Sequence, residues 1–290
     1  MSASTNGLKG QIESIMGVRK IAYAMQNVAA SKMKRAHQQM AASKEYSEQL
    51  LALLRRVASS ESAVCNPYLR RVNGQPKRLA IVLLGSDRGL CGALNANLFR
   101  VVDQQIEQYA QQGVEVFWDA IGARALEFCQ KRKLKLLAKL QQVGDRPMQS
   151  LLVQNVRVLL NYYRNYKLDG LLIAHNRFVN NLVRLPVIDK LLPLDISFSS
   201  SNVYDYLFEP NRDANLNYLA VKYLETLVYQ AVVDNIACEQ VARMMAMRSA
   251  ADNSAGIIQE LQQQFHKERQ LAITNEISDI IGGAEGLVGD

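Results

Sequence analysis

The chain has 290 residues, 49% of them hydrophobic and 21% charged, which gives ample material for a core and an ordinary charge content. No apolar run reaches the roughly eighteen residues of a membrane-spanning helix, and the first residues carry neither a secretory nor an Arg-rich transit pattern. The net charge of +7 is unevenly placed: residues 1–58 hold nine Lys/Arg against three Asp/Glu, residues 59–211 nineteen against thirteen, and residues 212–290 six against eleven. A basic first segment and an acidic last one attract each other when packed side by side. Exposed pairs contribute only about 0–1 kcal/mol each, so the asymmetry helps to choose a partner more than to hold it.

From Val18 to Asn66 there is neither glycine nor proline, and alanine is abundant. Leu8, Ile12, Ile15, Ala22, Ala29, Met33, Ala36, Met40, Leu50, Leu54 and Val57 recur at steps of three, four and seven, the seam of a coiled coil with small residues in its middle. Arg19, Gln26, Ser43 and Ser47 interrupt the seam. The spacing predicts one helix of about 50 residues, roughly 75 Å long, closed near Asn66-Pro67.

The middle third alternates strand and helix signals. Arg78–Leu84 is an apolar run of buried-strand length, followed by a Gly/Ser/Asp turn and a helix to Gln112. Val114–Ile121 reads as a second strand between Gly113 and Gly122, then comes a short helix to about Lys131. Leu134–Leu140 is a third strand, and Asp145-Arg146-Pro147 supplies starter chemistry for a helix over Met148–Tyr166. Gly170–His175 and Leu182–Ile188 complete five strands. This alternation predicts an α/β domain with a largely parallel sheet. Residues 195–211 form a polar connection.

After Pro210 no proline occurs, and the only glycine before Gly282 is Gly256. Helical periodicity persists to about Gly286, roughly 100 Å of helix. The expected organisation is therefore a helix over 1–60, an inserted α/β domain over 70–200 and a helix over 210–286, the two helices pairing as an antiparallel coiled coil. Facing residue numbers in such a pair sum to a near-constant. One register pairs Leu8 with Leu261, Ile12 with Ile257, Met25 with Met244, Met33 with Ile236, Leu50 with Leu219 and Leu53 with Leu216. It leaves the last helix running on alone, with Ile273, Ile277 and Ile280 unpartnered within the chain.

Little in the chain points to chemistry. Gly85-Ser-Asp-Arg-Gly-Leu-Cys-Gly92 lies where a phosphate-cradling loop would sit, at a strand-to-helix turn. Neither GxxxxGK[ST] nor GxGxxG is present, so steric necessity is the simpler account of its glycines. Cys65, Cys91, Cys129 and Cys238 stand far apart and read as reduced thiols. His37, His175 and His266 are equally scattered. Lys32-Met-Lys34-Arg35 lacks aromatic interleaving and reads as a solvated or acid-facing flank rather than a nucleic-acid site. Met244, Met245 and Met247 suit either a contact surface or coiled-coil core. The expectation is no catalytic residue, no metal and no cofactor.

Gly85-Ser-Asp-Arg-Gly-Leu-Cys-Gly-Ala-Leu-Asn95 resembles the SDRGLCGxLN stretch of the gamma subunits of F-type ATP synthases. Lys20–Met25, Val28–Arg35, Glu239–Arg248, Ala251-Asp-Asn253 and Arg269–Glu276 are similar to the terminal helices of that family. Ala93, Tyr23 and Met245 depart from its usual pattern. The resemblance implies a central rotor shaft that couples ion-driven rotation of a membrane c-ring to conformational change at catalytic beta subunits. It also implies one copy per complex, no nucleic acid, and partners in the alpha and beta subunits of the head, the epsilon subunit and the c-ring. By the same resemblance Met25 and Arg243 meet the mobile lobe of beta. Arg269, Gln270, Thr274 and Glu276 make the upper contact, and Tyr206 and Glu209 lie at the foot near epsilon and the c-ring. The short N-terminus fits a bacterial protein, peripheral on the cytoplasmic face of the cytoplasmic membrane. The residues alone leave a second reading open, a stand-alone α/β nucleotide- or nucleic-acid-binding protein with coiled-coil arms.

Overall fold

The computed structural model describes residues 3–58, 66–69, 75–180, 183–195, 208–209 and 211–288, without the side chains of 3–5 and 282–288. Helix α1 spans Ala3–Val57. The middle of the chain runs β1 (Arg78–Leu84), α2 (Leu94–Gln111), β2 (Glu115–Ile121), α3 (Ala123–Lys131), β3 (Leu136–Leu140), α4 (Gln149–Arg164), β4 (Gly170–Phe178) and β5 (Arg184–Leu192), and α5 spans Arg212–Val288. The sheet order is β3-β2-β1-β4-β5. β1 pairs in parallel with β2 and β4, and β2 in parallel with β3, while β5 is antiparallel to β4.

β5 departs from the expected Leu182–Ile188: it starts and ends later, and residues 181–182 lie outside the described residues. The connection 179–183 is too short for the crossover that a parallel strand requires. Asn180 turns it, its Oδ1 accepting from Val183 N at 2.7 Å.

From Leu79 to Leu84 β1 is apolar and buried because both its faces are covered. Ala80, Val82 and Leu84 pack with Leu152, Val156 and Leu159 of α4 and with Leu216–Ala237 of α5. Ile81 and Leu83 pack on the other face with Leu98 and Val102 of α2, Trp118, and Ala125 and Cys129 of α3.

The chain forms two compact units, one of residues 30–242 and one of residues 1–29 with 243–290, so each terminal helix contributes to both. In the larger unit α5 is a core element. From Ala231 to Ala242 every residue is buried except half-buried Asp234, as expected of a helix surrounded by protein. Ser47 Oγ lies 3.1 Å from Gln230 Oε1, and Asp145 bonds both Lys32 and Gln240. Advancing along α1 therefore means retreating along α5, and the pairing is antiparallel. In the smaller unit Ala22 and Met25 cluster with Ala246, Met247, Ala250 and Ala251. Along α5, Met247, Ala251, Ser254 and Ile258 are buried and Leu261 and Phe265 half-buried, alternating steps of four and three.

Two members of the expected seam are corrected. Leu53 is 46% exposed and Ile257 45%, while their neighbours Leu54 and Ile258 are buried. A knob sits between residues of the facing helix, so facing sums alternate instead of holding one value: Ala22 shares its cluster with both Met247 and Ala251. Insisting on one sum puts some pairs a residue off. Of the other seam residues, Leu50, Leu216 and Ile236 are buried; Leu8, Ile12, Met33, Leu219, Met244 and Leu261 are half-buried.

Candidate functional site

The loop between β1 and α2 is tied to its own protein. Ser86 N donates to Asn95 Oδ1 at 3.2 Å, Asn95 Nδ2 returns a bond to Ser86 Oγ at 2.7 Å, and Ser86 Oγ reaches Arg88 O at 2.8 Å. Asp87 accepts three backbone N–H bonds, from Ala123 at 3.1 Å, Gln142 at 3.2 Å and Gly144 at 3.0 Å. Its carboxylate thus occupies the N-terminus of α3, a position where an anion is favoured. Gly122 has φ +99°, and a Cβ there would lie 2.1 Å from Gly85 O. Two of the glycines that bound these turns are therefore demanded by close approach of one backbone to another.

In an open α/β sheet ligands bind beyond the carboxyl ends of the strands, where the strand order reverses. Here that crevice lies beside β1 and β4, and α5 fills it. Asn235 Oδ1 accepts from both Asn176 N (3.3 Å) and Asn176 Nδ2 (3.0 Å), and Cys238 Sγ lies 3.4 Å from Asn176 O. Between Gly85, Asp87, Gly144, Asn235 and Glu239 a cavity of about 20 Å³ remains, space for about one water.

The most strongly perturbed groups lie inside the protein. Burial pushes the Asp119 carboxyl on β2 up to about 7 although Asn155 donates to it. Burial likewise raises Asp234 to about 6 against the pull of Arg177 and Lys44, and pushes the Cys129 and Cys238 thiols up to about 12. Burial lowers His175 to about 4, opposed by Asp189. Cys91, Cys129 and Cys238 are free and buried, while Cys65 lies outside the described residues.

The family-derived contact residues fall in separate places. Met25 is half-buried in the cluster of the smaller unit, and Arg243 is buried and engaged within the chain. Arg269, Gln270, Thr274 and Glu276 are exposed, Thr274 Oγ1 donating to Gln270 O at 2.9 Å. Ile273, Ile277 and Ile280 are 45%, 51% and 67% exposed, and Leu271 and Ile281 lie open beside them. Glu209 is exposed, and Tyr206 lies outside the described residues. A groove of about 620 Å³ lined by Met16, Arg19, Lys20, Tyr23, Arg248 and Asp252 opens on the smaller unit. Lys32 proves to be acid-facing, paired with Asp145. Sequence reasoning misses Asp119 and Asp145 as sites. The signal for the first is a lone carboxylate in the apolar run Val-Phe-Trp-Asp-Ala-Ile; Asp145 reads only as a helix starter.

Two long terminal helices, one of them threaded through the crevice of a five-stranded sheet, define a helix-flanked α/β protein whose last helix carries a run of open apolar side chains at 271–281. The family model described as ATP synthase matches residues 4–287. The ATP synthase gamma chain of Nitrosococcus oceani is 39% identical over 290 residues, covering 98% of this chain and all of its own. That of Polynucleobacter asymbioticus is 36% identical with the same coverage. The fold also matches a chain of the Euglena gracilis mitochondrial ATP synthase rotor in rotational state 1, with TM-score 0.66 and 17% identity, over 93% of this chain and 99% of that one. A chain of that enzyme's OSCP/F1/c-ring assembly in rotational state 3 matches with TM-score 0.68 and 19% identity, over 98% and 94%. The chain belongs to the family of ATP synthase gamma chains.

Proposed function

We propose that this chain is the central rotor shaft of an F-type ATP synthase, a non-catalytic subunit that couples rotation of a membrane c-ring to the catalytic beta subunits. The observation that carries the reading is the dual character of α5, buried on all sides among sheet and helices at 231–242 and exposing apolar side chains at 271–281. An element fixed at one end and open at the other can carry a rotation from one set of partners to another. Met25 and Arg243 face the mobile lobe of beta; Arg269, Gln270, Thr274 and Glu276 make the upper contact with the head. Tyr206 and Glu209 serve the foot beside epsilon and the c-ring. The chemistry of ATP belongs to beta, and attachment to the cytoplasmic face of a bacterial membrane is indirect, through the c-ring.

The test is to supply the tagged chain to a bacterium lacking its own gamma subunit. The expected result is co-purification with alpha, beta, epsilon and the c-ring, and recovery of ATP-driven proton or sodium pumping in membrane vesicles. A chain that purifies alone and binds ATP with micromolar affinity would overturn the reading in favour of a stand-alone nucleotide-binding protein.

A further inference from the structure

The two helices are held in the larger unit by different means. α5 is a core element there, whereas between residues 30 and 49 α1 buries only Ala36, Ser43 and Ser47. Small side chains let backbones approach closely but raise shallow ridges, so they give little resistance to sliding. What fixes α1 along this stretch is a few specific contacts: Ser47 with Gln230, the His37 ring edge-on to Phe178 at 4.4 Å, and Lys32 with Asp145.

Asp145 differs from the others because its two oxygens serve two helices. Oδ2 lies 2.5 Å from Lys32 Nζ on α1, and Oδ1 accepts from Gln240 Nε2 on α5 at 2.9 Å. Its own loop is fastened. Asp87 takes the N–H groups of Gln142 and Gly144, and through Ala123 N it holds the start of α3 at the same time. Gly144 has φ +69°, a left-handed turn that aims the next residue. A fixed loop, a single carboxylate and one bond to each helix form a continuous connection from sheet to helix pair.

We propose that Asp145, positioned by Asp87, makes the sheet carry both helices with it when the chain turns, by preventing α1 from slipping along α5. This rests on the rotor-shaft reading. Asp145 is a positioning residue: it touches no substrate, and its effect appears in the ratio of ions pumped to ATP hydrolysed.

The experiment uses the assembled enzyme in vesicles from the gamma-lacking bacterium, with the unmodified chain alongside. Asp145→Ala is expected to lower pumping per ATP about two- to fivefold, the factor that a partly exposed pair can supply. Asp145→Asn, which keeps shape and the Gln240 bond, is expected to fall between. The exchange Lys32→Asp with Asp145→Lys is expected to restore most of the ratio, which a merely structural role would not predict. In a double-mutant cycle, Lys32→Ala added to Asp145→Ala is expected to cost nothing further. An unchanged ratio in Asp145→Ala and Asp145→Asn, or losses that multiply in the double variant, would overturn the proposal. Failure of the unmodified chain to support pumping would instead overturn the shaft reading on which it rests.

Discussion

Asp119 shows how a single residue departs from the logic of its strand. It sits on β2 between Trp118 and Ala120, fully buried, with one donor, Asn155 Nδ2, at 2.5 Å and no partner for Oδ1 among the described residues. A charge in that setting is costly, and desolvation outweighs the Asn155 bond to raise the carboxyl from 3.8 to about 7. The folded state therefore binds the proton more tightly than the unfolded chain does. The stability this confers is fully present below the unfolded value near 3.8 and is lost as pH rises through about 7. Asp119→Asn keeps the shape and never ionises. Urea unfolding of the two proteins from pH 4 to 9 should show the variant gaining on the parent as pH rises, levelling off above about 7 at roughly 3–4 kcal/mol. A difference that stays constant with pH would mean that Asp119 does not titrate in the folded protein. His175, lowered to about 4, acts with the opposite sign, since its neutral form is the one favoured by folding.

At the scale of elements, α1 and α5 obey a simple rule that the amino acids display openly. Ala22, Ala29, Ala36, Ser43 and Leu50 stand seven apart and are all buried, the period of a helix facing one partner. Cysteine pairs test the register once the four native cysteines are replaced. Residues 22 and 247 share one cluster, so oxidation should link that pair, because a disulfide needs Cα atoms within about 7 Å. A pair at 22 and 249 should not link, since Ser249 is exposed. Equal linkage of both would refute the register. Both long helices and all five strands are legible because their signals are local: periodicity for α1 and α5, apolar runs bounded by glycine for β1 and β2. Leu53 and Ile257 are misplaced because the choice between adjacent residues depends on knob packing, which no local pattern records. The direction of β5 is settled by the shortness of the 179–183 connection. The bonds of Asp87 and Asp145 are hidden for a different reason, since their partners lie tens of residues away and only the fold brings them together.

For the whole molecule, the surface matters as much as the core. From His266 to Ile281 every residue on α5 is exposed except half-buried Ala272, and Leu271, Ile273, Ile277, Ile280 and Ile281 are among them. Single exposed apolar residues are ordinary, but a cluster on one helical segment marks a contact surface. Covering an isoleucine completely is worth about 1.5–3 kcal/mol, and these three are about half open. Burying the remainder of Ile273, Ile277 and Ile280 against a partner therefore supplies roughly 2–4 kcal/mol, about thirtyfold or more in affinity. Replacing all three by serine leaves the core of both units untouched. The triple variant should retain the parent's thermal unfolding and helix content, since it removes no buried side chain. Recovery of alpha and beta subunits with the tagged chain, titrated against subunit concentration, should fall by about thirtyfold or more. Equal recovery would mean that the apolar segment is not what the head grips, leaving the contact proposed at Met25 and Arg243 and, on the same segment as the isoleucines, the four exposed side chains Arg269, Gln270, Thr274 and Glu276. Those side chains are polar and open to water, so they can set orientation while contributing much less to affinity.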